Sequence, residues 1–312
     1  MAANRQRLSV TEFDFDEVKD NLKLFMRNQT EFKDYDFEGS GLSALLDVLA
    51  YNTHYLGFNA NMLANEMFLD SSQLRSSVVS HAKTLGYTTR SATASNAVVD
   101  IFLNTTNASA TMPAGTVFSA SVGDESYQFV TISEVTSSNS GSSITFNDIR
   151  IYEGSYVSSR YVADTQNVEQ RFLINDDRAD TTTLSVVVQN SATDTTQTTF
   201  TQATDISGLT STSNVYFIQE VEDGQYEIYF GDGILGSAIE DGNIIIMQYV
   251  VTNKGAANGA STFTSSTAID TVNSVNVVTV SNSAGGSEPE SIESIKYNAP
   301  LDYASQGRAV TA

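Results

Sequence analysis

The spacing that comes nearest to a chemical site is a glycine-rich motif, Gly231-Asp-Gly-Ile-Leu-Gly236, which follows a predicted strand. In a dinucleotide site the same G-x-G-x-x-G spacing leads into a helix, and the N-terminus of that helix binds the pyrophosphate. Here a turn at Glu240-Asp241-Gly242 and a strand from Ile244 follow instead. The motif therefore predicts a turn, and we expect no bound cofactor.

A second pattern imitates the beginning of a calcium-binding loop. Asp34, Asp36 and Glu38 precede Gly39 at the required spacing. The twelfth position of such a loop supplies a bidentate glutamate, and here that position is Leu45. We interpret the segment as a polar link between two helices and expect no metal site.

Side chains suited to catalysis are few. The chain has no cysteine and only two histidines, His54 and His81, which fall on separate predicted helices. This argues against catalytic zinc, and no G-x-S-x-G turn precedes a helix. The adjacent carboxylates Asp176 and Asp177 lie in a polar loop. We expect no catalytic residue and no enzyme, although a carboxylate pair contributed by distant strands stays open.

Composition excludes several kinds of partner. The 312 residues include 16 basic and 37 acidic side chains, a net charge of −21. Because this charge repels phosphate, we expect neither nucleic acid nor an anionic membrane as a partner. No uncharged apolar run approaches the roughly 18 residues of a membrane span, and residues 1–10 lack the apolar core of a signal peptide.

Charge and residue types change together near residue 90. Residues 1–90 carry a net charge of −3 and have Leu, Phe and Met at helical spacing, whereas the later residues carry −18 and form short β-branched runs. The pattern predicts an α+β fold, with an N-terminal α-helical bundle segment followed by mainly antiparallel β domains. By spacing alone, the predicted units are a helical segment (1–90), a β domain (91–165 plus 244–290), an inserted β subdomain (166–243) and the start of a C-terminal region (291–312).

Three helices are predicted in the first segment. The first runs from about Thr11 to Asn28 and the second from about Ser40 to Leu69. The third begins at a cap near Ser71 or Ser72 and ends at Gly86.

Strands and turns are predicted after residue 90. Two strands flank Asp223-Gly224, a dipeptide typical of tight hairpin turns. They are Val215–Ile218 and Tyr226–Phe230. The other predicted strands are Ala97–Leu103, Leu184–Val188, Ile244–Val251 and Val275–Val280, and Met112–Gly115 is a predicted turn.

The second helix has two apolar stripes, whereas a surface helix normally has one. One stripe consists of Leu42, Leu45, Leu46, Leu49, Leu56, Leu63 and Met67. The other consists of Val48, Tyr51, Tyr55, Phe58, Met62 and Leu69. Leaving six such side chains in water forfeits about 10 kcal/mol. Either another chain completes a helix bundle, which we favour, or the first and third helices and the β region cover both stripes.

Several segments between residues 10 and 312 occur in an order typical of one protein family. They are Phe32–Ser40, Leu45–Asn52, Leu74–Val79, Gly86-Tyr87, Phe230–Gly236, Tyr249–Gly255, Gly259, Gly285–Glu290, Lys296, Ala299-Pro300 and Arg308–Thr311. Together they resemble the baseplate wedge protein of T-even-type contractile-tailed phages, within the broader baseplate J-like family. Members of that family continue beyond the last of these segments, so we expect this chain to be an N-terminal portion or a shortened homologue.

The resemblance implies a structural, non-enzymatic protein of the virion, located in the tail baseplate and assembled in the host cytoplasm. It implies pairing with a second copy and a helix bundle shared with other wedge subunits. The partner-binding residues expected on this basis are Phe15, Val18, Leu22, Phe25, Leu42, Leu45, Leu46, Leu49, Tyr51, Tyr55, Leu56, Phe58 and Met62. The change in composition near residue 90 further suggests a hinge that moves when the tail contracts.

The resemblance also gives the glycine motif a structural role. Gly231, Gly233 and Gly236 would permit tight turns at a strand end, and Asp232 would accept backbone hydrogen bonds. The alternative function is that of an acidic, β-rich fibre or receptor- and glycan-binding protein. Sequence repeats or aromatic platforms would favour that alternative, and neither is visible.

Overall fold

The computed structural model describes residues 14–27, 36, 39–139, 141, 143–167, 169–204, 206, 208–221, 224–265 and 267–305. Within these residues three helices precede two large, mainly antiparallel sheets, which confirms the predicted α+β class. The helices are α1 (Phe15–Arg27), α2 (Gly41–Glu66), α3 (Arg75–Thr84) and α4 (Ile292–Ser305). None of the helices in this part of the chain is long and apolar enough to cross a membrane.

The ends of α2 and α3 follow from local hydrogen bonds. Ser40 caps α2, because its hydroxyl accepts the N–H of Ser43 at 3.0 Å. The predicted cap of α3 at Ser71 or Ser72 is wrong: α3 begins after Leu74. Both serine hydroxyls donate to carbonyls near the end of α2, and the cap position of α3 is Leu74, whose side chain makes no cap hydrogen bond.

Gly86 ends α3 as predicted. Its φ is +79°, and its N–H donates to the carbonyl of Lys83 while that of Tyr87 donates to Ala82. Glycine adopts this left-handed conformation without the steric cost that a Cβ atom brings.

Fifteen strands follow α3 in the described part of the chain. They are β1 (Asn96–Asn104), β2 (Ser109–Met112), β3 (Val117–Val122), β4 (Glu125–Val130), β5 (Val135–Ser138), β6 (Ser143–Glu153), β7 (Ser155–Val162), β8 (Phe172–Ile174), β9 (Ala179–Gln189), β10 (Gln197–Gln202), β11 (Val215–Glu220), β12 (Tyr226–Phe230), β13 (Ile244–Val251), β14 (Phe263–Ser265) and β15 (Val275–Ala284). A short 3-10 helix, Lys254–Ala257, follows β13.

The first sheet has the order β14-β3-β4-β6-β1-β15, and β2 pairs separately with β5. Burial alternates along β1, as expected for a strand with one face in a core. The core beneath this sheet contains the fully buried side chains of Phe118, Phe129 and Ile101.

The second sheet has the order β7-β13-β9-β10-β11-β12-β8, and only β10 and β11 are parallel. The predicted hairpin is confirmed, since β11 pairs antiparallel with β12. Its turn includes Gly224 at a φ of +74°, whereas Asp223 lies outside the described residues. Phe172, Ile228 and Ile245 belong to the core of this sheet.

The boundaries of the second sheet differ from those of the predicted inserted subdomain. The sheet begins with β7 and ends with β13, so it spans residues 155–251 rather than 166–243. The reason is that β7 and β13 pair with each other at eight positions, and β13 also pairs with β9. The short strands on either side of the boundary look alike in sequence and give no sign of which sheet they join.

The chain enters and leaves the second sheet at one place. The buried carboxylate of Glu153 accepts the hydroxyl of Thr252 at 2.7 Å and the backbone N–H of Asn253 at 2.9 Å. The next residue, Gly154, has a φ of +124°, and a Cβ atom there would overlap the carbonyl of Val251. This pair of crossing segments therefore requires both a buried acceptor and a residue without a side chain.

We expect Gly154→Ala to lower the free energy of unfolding by about 2 kcal/mol or more. The substitution adds backbone strain to a clash with backbone that cannot move aside easily. Urea denaturation followed by circular dichroism measures the change. The matched control is Gly208→Ala, because nothing lies within 4 Å of a Cβ atom at that position. Equal stability of the two variants would contradict the assignment.

Candidate interaction surface on the N-terminal helices

Helix α1 covers one face of α2. The buried positions of α2 are Ser43, Leu46, Ala50 and Gly57, and three of these four residues are small enough to let a neighbouring helix approach closely. An ion pair reinforces the contact, since the Lys19 Nζ lies 2.6 Å from the Asp47 carboxylate. Helices α1 and α2 thus pack together as one pair, which we call the helical arm.

The other two faces of α2 are exposed and apolar. At 100° per residue they lie about 120° to either side of the face that α1 covers. The leucine face consists of Leu45, Leu49, Leu56, Leu63 and Met67. The aromatic face consists of Val48, Tyr51, Tyr55, Phe58 and Met62. All ten side chains are between 43% and 69% exposed.

The alternative in which the chain's own elements cover both stripes is therefore wrong for the described residues. Helix α3 does not lie against the middle of α2. It packs on α4 instead, where Val78, Val79 and Ala82 meet Ile295 and Ala299. Covering the ten half-exposed side chains would stabilise a complex by about 10 kcal/mol, which is comparable with the stability of a whole domain.

The predicted partner-binding residues divide into three groups. Val18 and Leu46 are buried, and Phe15, Leu22 and Leu42 are partly buried. The others are exposed, namely Phe25, Leu45, Leu49, Tyr51, Tyr55, Leu56, Phe58 and Met62. Sequence reasoning missed Leu24 and Phe68, which are also exposed. Their signal was weak because Leu24 does not fit the periodicity of α1 and Phe68 lies beyond the end of α2.

The residues considered for catalysis or metal binding are not brought together. Among the described residues no group of three or more His, Cys, Asp or Glu is arranged to hold a metal ion. The His81 Nε2 lies 2.9 Å from the carbonyl oxygen of Glu66, and Asp176 pairs with the neighbouring Arg178. Asp34 and Glu38 of the calcium-like pattern lie outside the described residues.

The glycine motif forms a closed turn after β12. The Oδ1 of Asp232 accepts the N–H groups of Ile234 at 2.9 Å and of Leu235 at 3.0 Å. These two N–H groups hold the pKa of Asp232 below its usual value. Gly233 and Gly236 have φ values of +84° and +90°. The next element after the motif is the strand β13, so the motif does not present the helix N-terminus that a pyrophosphate requires.

An ion pair with a buried carboxylate and a partly exposed arginine joins α3 to the second sheet. The guanidinium of Arg75 binds both carboxylate oxygens of Glu220, at 2.6 Å and 2.9 Å, and donates to the carbonyl of Glu290 at 2.5 Å. The hydroxyl of Thr89 also donates to Glu220. Such bidentate, charge-assisted contacts fix direction as well as distance.

A second buried carboxylate, Glu290, holds the segment near residue 90. It accepts the hydroxyl of Tyr87 at 3.0 Å and the backbone N–H of Arg90 at 3.2 Å. Burial raises the pKa of Glu290, but donation from Ser294, Asn298 and Tyr87 outweighs it and the net pKa is lowered. Burial and the neighbouring Glu290 raise the pKa of Tyr87 to about 12. The segment where the sequence suggests a hinge is therefore tied down on both sides.

The carboxylate of Glu66 fixes the turn between α2 and α3, which we call the elbow. It accepts the N–H of Gln73 at 2.8 Å and that of Leu74 at 3.3 Å. Burial raises the pKa of Glu66, but these N–H groups and the hydroxyl of Ser77 outweigh it and lower the net pKa. Because α3 is joined to the sheets, the elbow sets the direction of the helical arm.

Comparison with known proteins bears directly on this surface. Residues 14–87 match the family described as "Baseplate wedge protein gp6-like, helical domain", and residues 160–261 match "Bacteriophage baseplate wedge protein gp6, third domain". The chain is 31% identical over 330 aligned positions to "Baseplate wedge protein gp6" of Enterobacteria phage T4. The alignment covers 96% of this chain and 48% of that relative, so the chain spans about half the relative's length.

One solved structure is also similar over most of the chain. It is described as "Cryo-EM structure of the anti-feeding prophage (AFP) baseplate, 6-fold symmetrised". The alignment covers 95% of this chain and 53% of the other, with 12% identity and a TM-score of 0.31. That score is too low to support a shared fold.

We expect Arg75→Met to lower the free energy of unfolding by about 2–4 kcal/mol. The substitution leaves the buried carboxylate of Glu220 without its main partner. Urea denaturation measures the loss. The control is Arg178→Met, whose ion pair with Asp176 is exposed and is expected to contribute less than about 1 kcal/mol. A loss at Arg75 no larger than that at Arg178 would refute the role of the buried pair.

We expect Glu66→Ala to loosen the elbow and broaden the distribution of distances between α2 and α3. Since the chain has no cysteine, spin labels on Ala60→Cys and Ser80→Cys, both at exposed positions, report this distance by pulsed electron paramagnetic resonance. Glu66→Gln keeps an acceptor oxygen and should have a smaller effect. An unchanged distribution in Glu66→Ala would show that other contacts set the elbow.

The contribution of Glu66 should also depend on pH. Its pKa in the folded chain is lower than its ordinary value of 4.5, so its stabilising effect is complete above 4.5 and disappears as the pH falls through the lowered pKa. The stability difference between the wild type and Glu66→Ala should therefore shrink in acid. A difference that stays constant down to the acid limit of folding would contradict this.

Proposed function

The chain belongs to the gp6-like family of baseplate wedge proteins, and from this membership we propose that it is a structural subunit of the baseplate of a contractile phage tail. In this proposal its function is to bind and position other subunits rather than to catalyse a reaction. The observation that carries the proposal is the pair of exposed apolar faces on α2. A contiguous apolar surface of this size marks a protein interface.

The leucine face favours a second copy of the chain as one partner. Leucines recur every seven residues, at 42, 49, 56 and 63, and the intervening core-like positions are Leu45, Asn52 and Asn59. A heptad of leucines with an occasional asparagine in the seam is typical of two-stranded coiled coils, in which the asparagine pairs with its counterpart and fixes the register. We propose that two copies of α2 pair along this face.

The aromatic face then remains for other wedge subunits. It lies about 120° around α2 from the α1 face and from the leucine face, so a third helix can occupy it without displacing the first two. Tyr51 and Tyr55 stack with ring centroids 6.4 Å apart, which presents a broad, stiff surface with polar tips. Phe25 on α1 is exposed as well and extends the apolar area.

The experiment uses a double variant in which both Leu45 and Leu49 are replaced by Asp. Two carboxylates forced into an apolar seam cost several kcal/mol, so the variant should stay monomeric and should lose co-purification with any wedge subunit that binds only to the paired helices. The matched control is Tyr297→Asp with Leu301→Asp, which places the same charges four residues apart on the exposed side of α4. Sedimentation velocity and native mass spectrometry report the assembly state, and circular dichroism checks that the sheets remain folded.

Undiminished association of the Leu45→Asp, Leu49→Asp variant would overturn the assignment of the leucine face. Association lost equally in the α4 control would show a non-specific effect of charge. Binding of the wild type to host polysaccharide, without affinity for wedge subunits, would instead favour a receptor-binding function.

A further inference from the structure

The glycine motif presents two apolar side chains to solvent. Ile234 is 74% exposed, more than any other large hydrophobic side chain in the described part of the chain, and Leu235 is 44% exposed. We call these two residues the apolar tip. A single exposed aliphatic residue is unremarkable, but two adjacent ones at the end of a closed turn form a small projecting surface.

The turn that carries the apolar tip is held rigidly. Besides the two bonds to Asp232, the N–H of Gly236 donates to the carbonyl of Thr210 at 3.1 Å, and that of Ser237 donates to Ser213 at 2.8 Å. These bonds tie the turn to the neighbouring loop that precedes β11. The tip therefore cannot withdraw into the core without breaking several hydrogen bonds.

Two glycines make this conformation possible. A Cβ atom on Gly231 would overlap the backbone of Leu235 and Gly236. A Cβ atom on Gly236 would lie 2.9 Å from the Cγ2 of Val215. The glycines thus permit close backbone contacts, and in the turn that results the side chains of Ile234 and Leu235 are exposed to water.

The charge around the apolar tip indicates the chemistry of a partner. Between Arg178 and Lys254 the sequence has ten acidic residues and no basic residue. This stretch contains most of the second sheet, and Asp232, Glu240 and Asp241 flank the tip in sequence. Of these ten, Asp180 and Glu220 are buried. The exposed carboxylates Asp232, Glu240 and Asp241 attract a basic partner and repel a second copy of the same segment.

We propose that the apolar tip docks into an apolar pocket rimmed by Lys and Arg on another baseplate subunit. Insertion of Ile234 would supply the apolar contact, and the acidic surroundings would steer the partner and fix its orientation. The proposal rests on the proposed structural function, because it assumes the assembled particle. The surface it assigns is separate in sequence from the helical arm, so the two can fail independently.

The test places a photo-crosslinking amino acid, p-benzoylphenylalanine, at position 234 in assembled baseplates. Position 280 is the matched control, since Val280 is 53% exposed on β15 of the first sheet. Position 56 on α2 is the control for the helical arm. We expect position 234 to crosslink to a different subunit at a site flanked by Lys or Arg, with a yield at least tenfold above that of position 280.

The outcomes separate the two proposals. Crosslinking at position 56 but only background crosslinking at position 234 overturns the docking of the apolar tip and leaves the structural function standing. Crosslinking of position 234 to another copy of this chain, or to an acidic surface, also overturns it. Absence of crosslinks at both positions counts against the structural function itself.

A binding measurement with the crosslinked subunit completes the test. Ile234→Ser with Leu235→Ser leaves Asp232 and the glycines in place, so the turn should keep its shape. We expect at least a tenfold loss of affinity, and in the wild type a fall in association rate as salt is raised. The control is Val278→Ser with Val280→Ser, which removes similar apolar area from β15. Equal affinity of the two double variants overturns the proposal.

Discussion

One guanidinium group connects α3, the second sheet and the segment that precedes α4. Arg75 stands at the first turn of α3, binds the carboxylate at the end of β11 and reaches the backbone just before α4. An arginine does not lose its proton in a protein, so it stays charged. If the carboxylate of Glu220 moved away from it, that buried carboxylate would have no opposite charge beside it, which is costly. The position of α3 on the second sheet is thus set by an interaction that tolerates little adjustment.

Helix α2 faces a complementary constraint. Its 26 residues, about 39 Å in length, can be covered by α1 along only one of three apolar faces. The sheets have their own cores and take no part in covering the other two faces. The sheets therefore bury their own apolar side chains, whereas ten apolar side chains of α2 remain exposed in the described part of the chain.

Sequence reasoning succeeded where structure is local. The periodicity of α2, the hairpin of β11 and β12 and the stop at Gly86 all depend on residues within a few positions of each other. It failed where distant segments meet. Arg75 and Glu220 are 145 residues apart, and the sequence around each residue does not predict that the two will form a contact. Similarly, the alternation in β7 indicates a strand but not the sheet it joins.

The single crossing point at Glu153 bears on how such chains diversify. The chain enters the second sheet after residue 154 and leaves it before residue 252. These two ends are adjacent, because the carboxylate of Glu153 at the first end accepts hydrogen bonds from Thr252 and Asn253 at the second. A segment inserted in this way can be lengthened, shortened or exchanged between related chains without a change in the structure of the first sheet. The second sheet can thus vary as a unit during evolution while the first sheet and the helical arm keep their geometry.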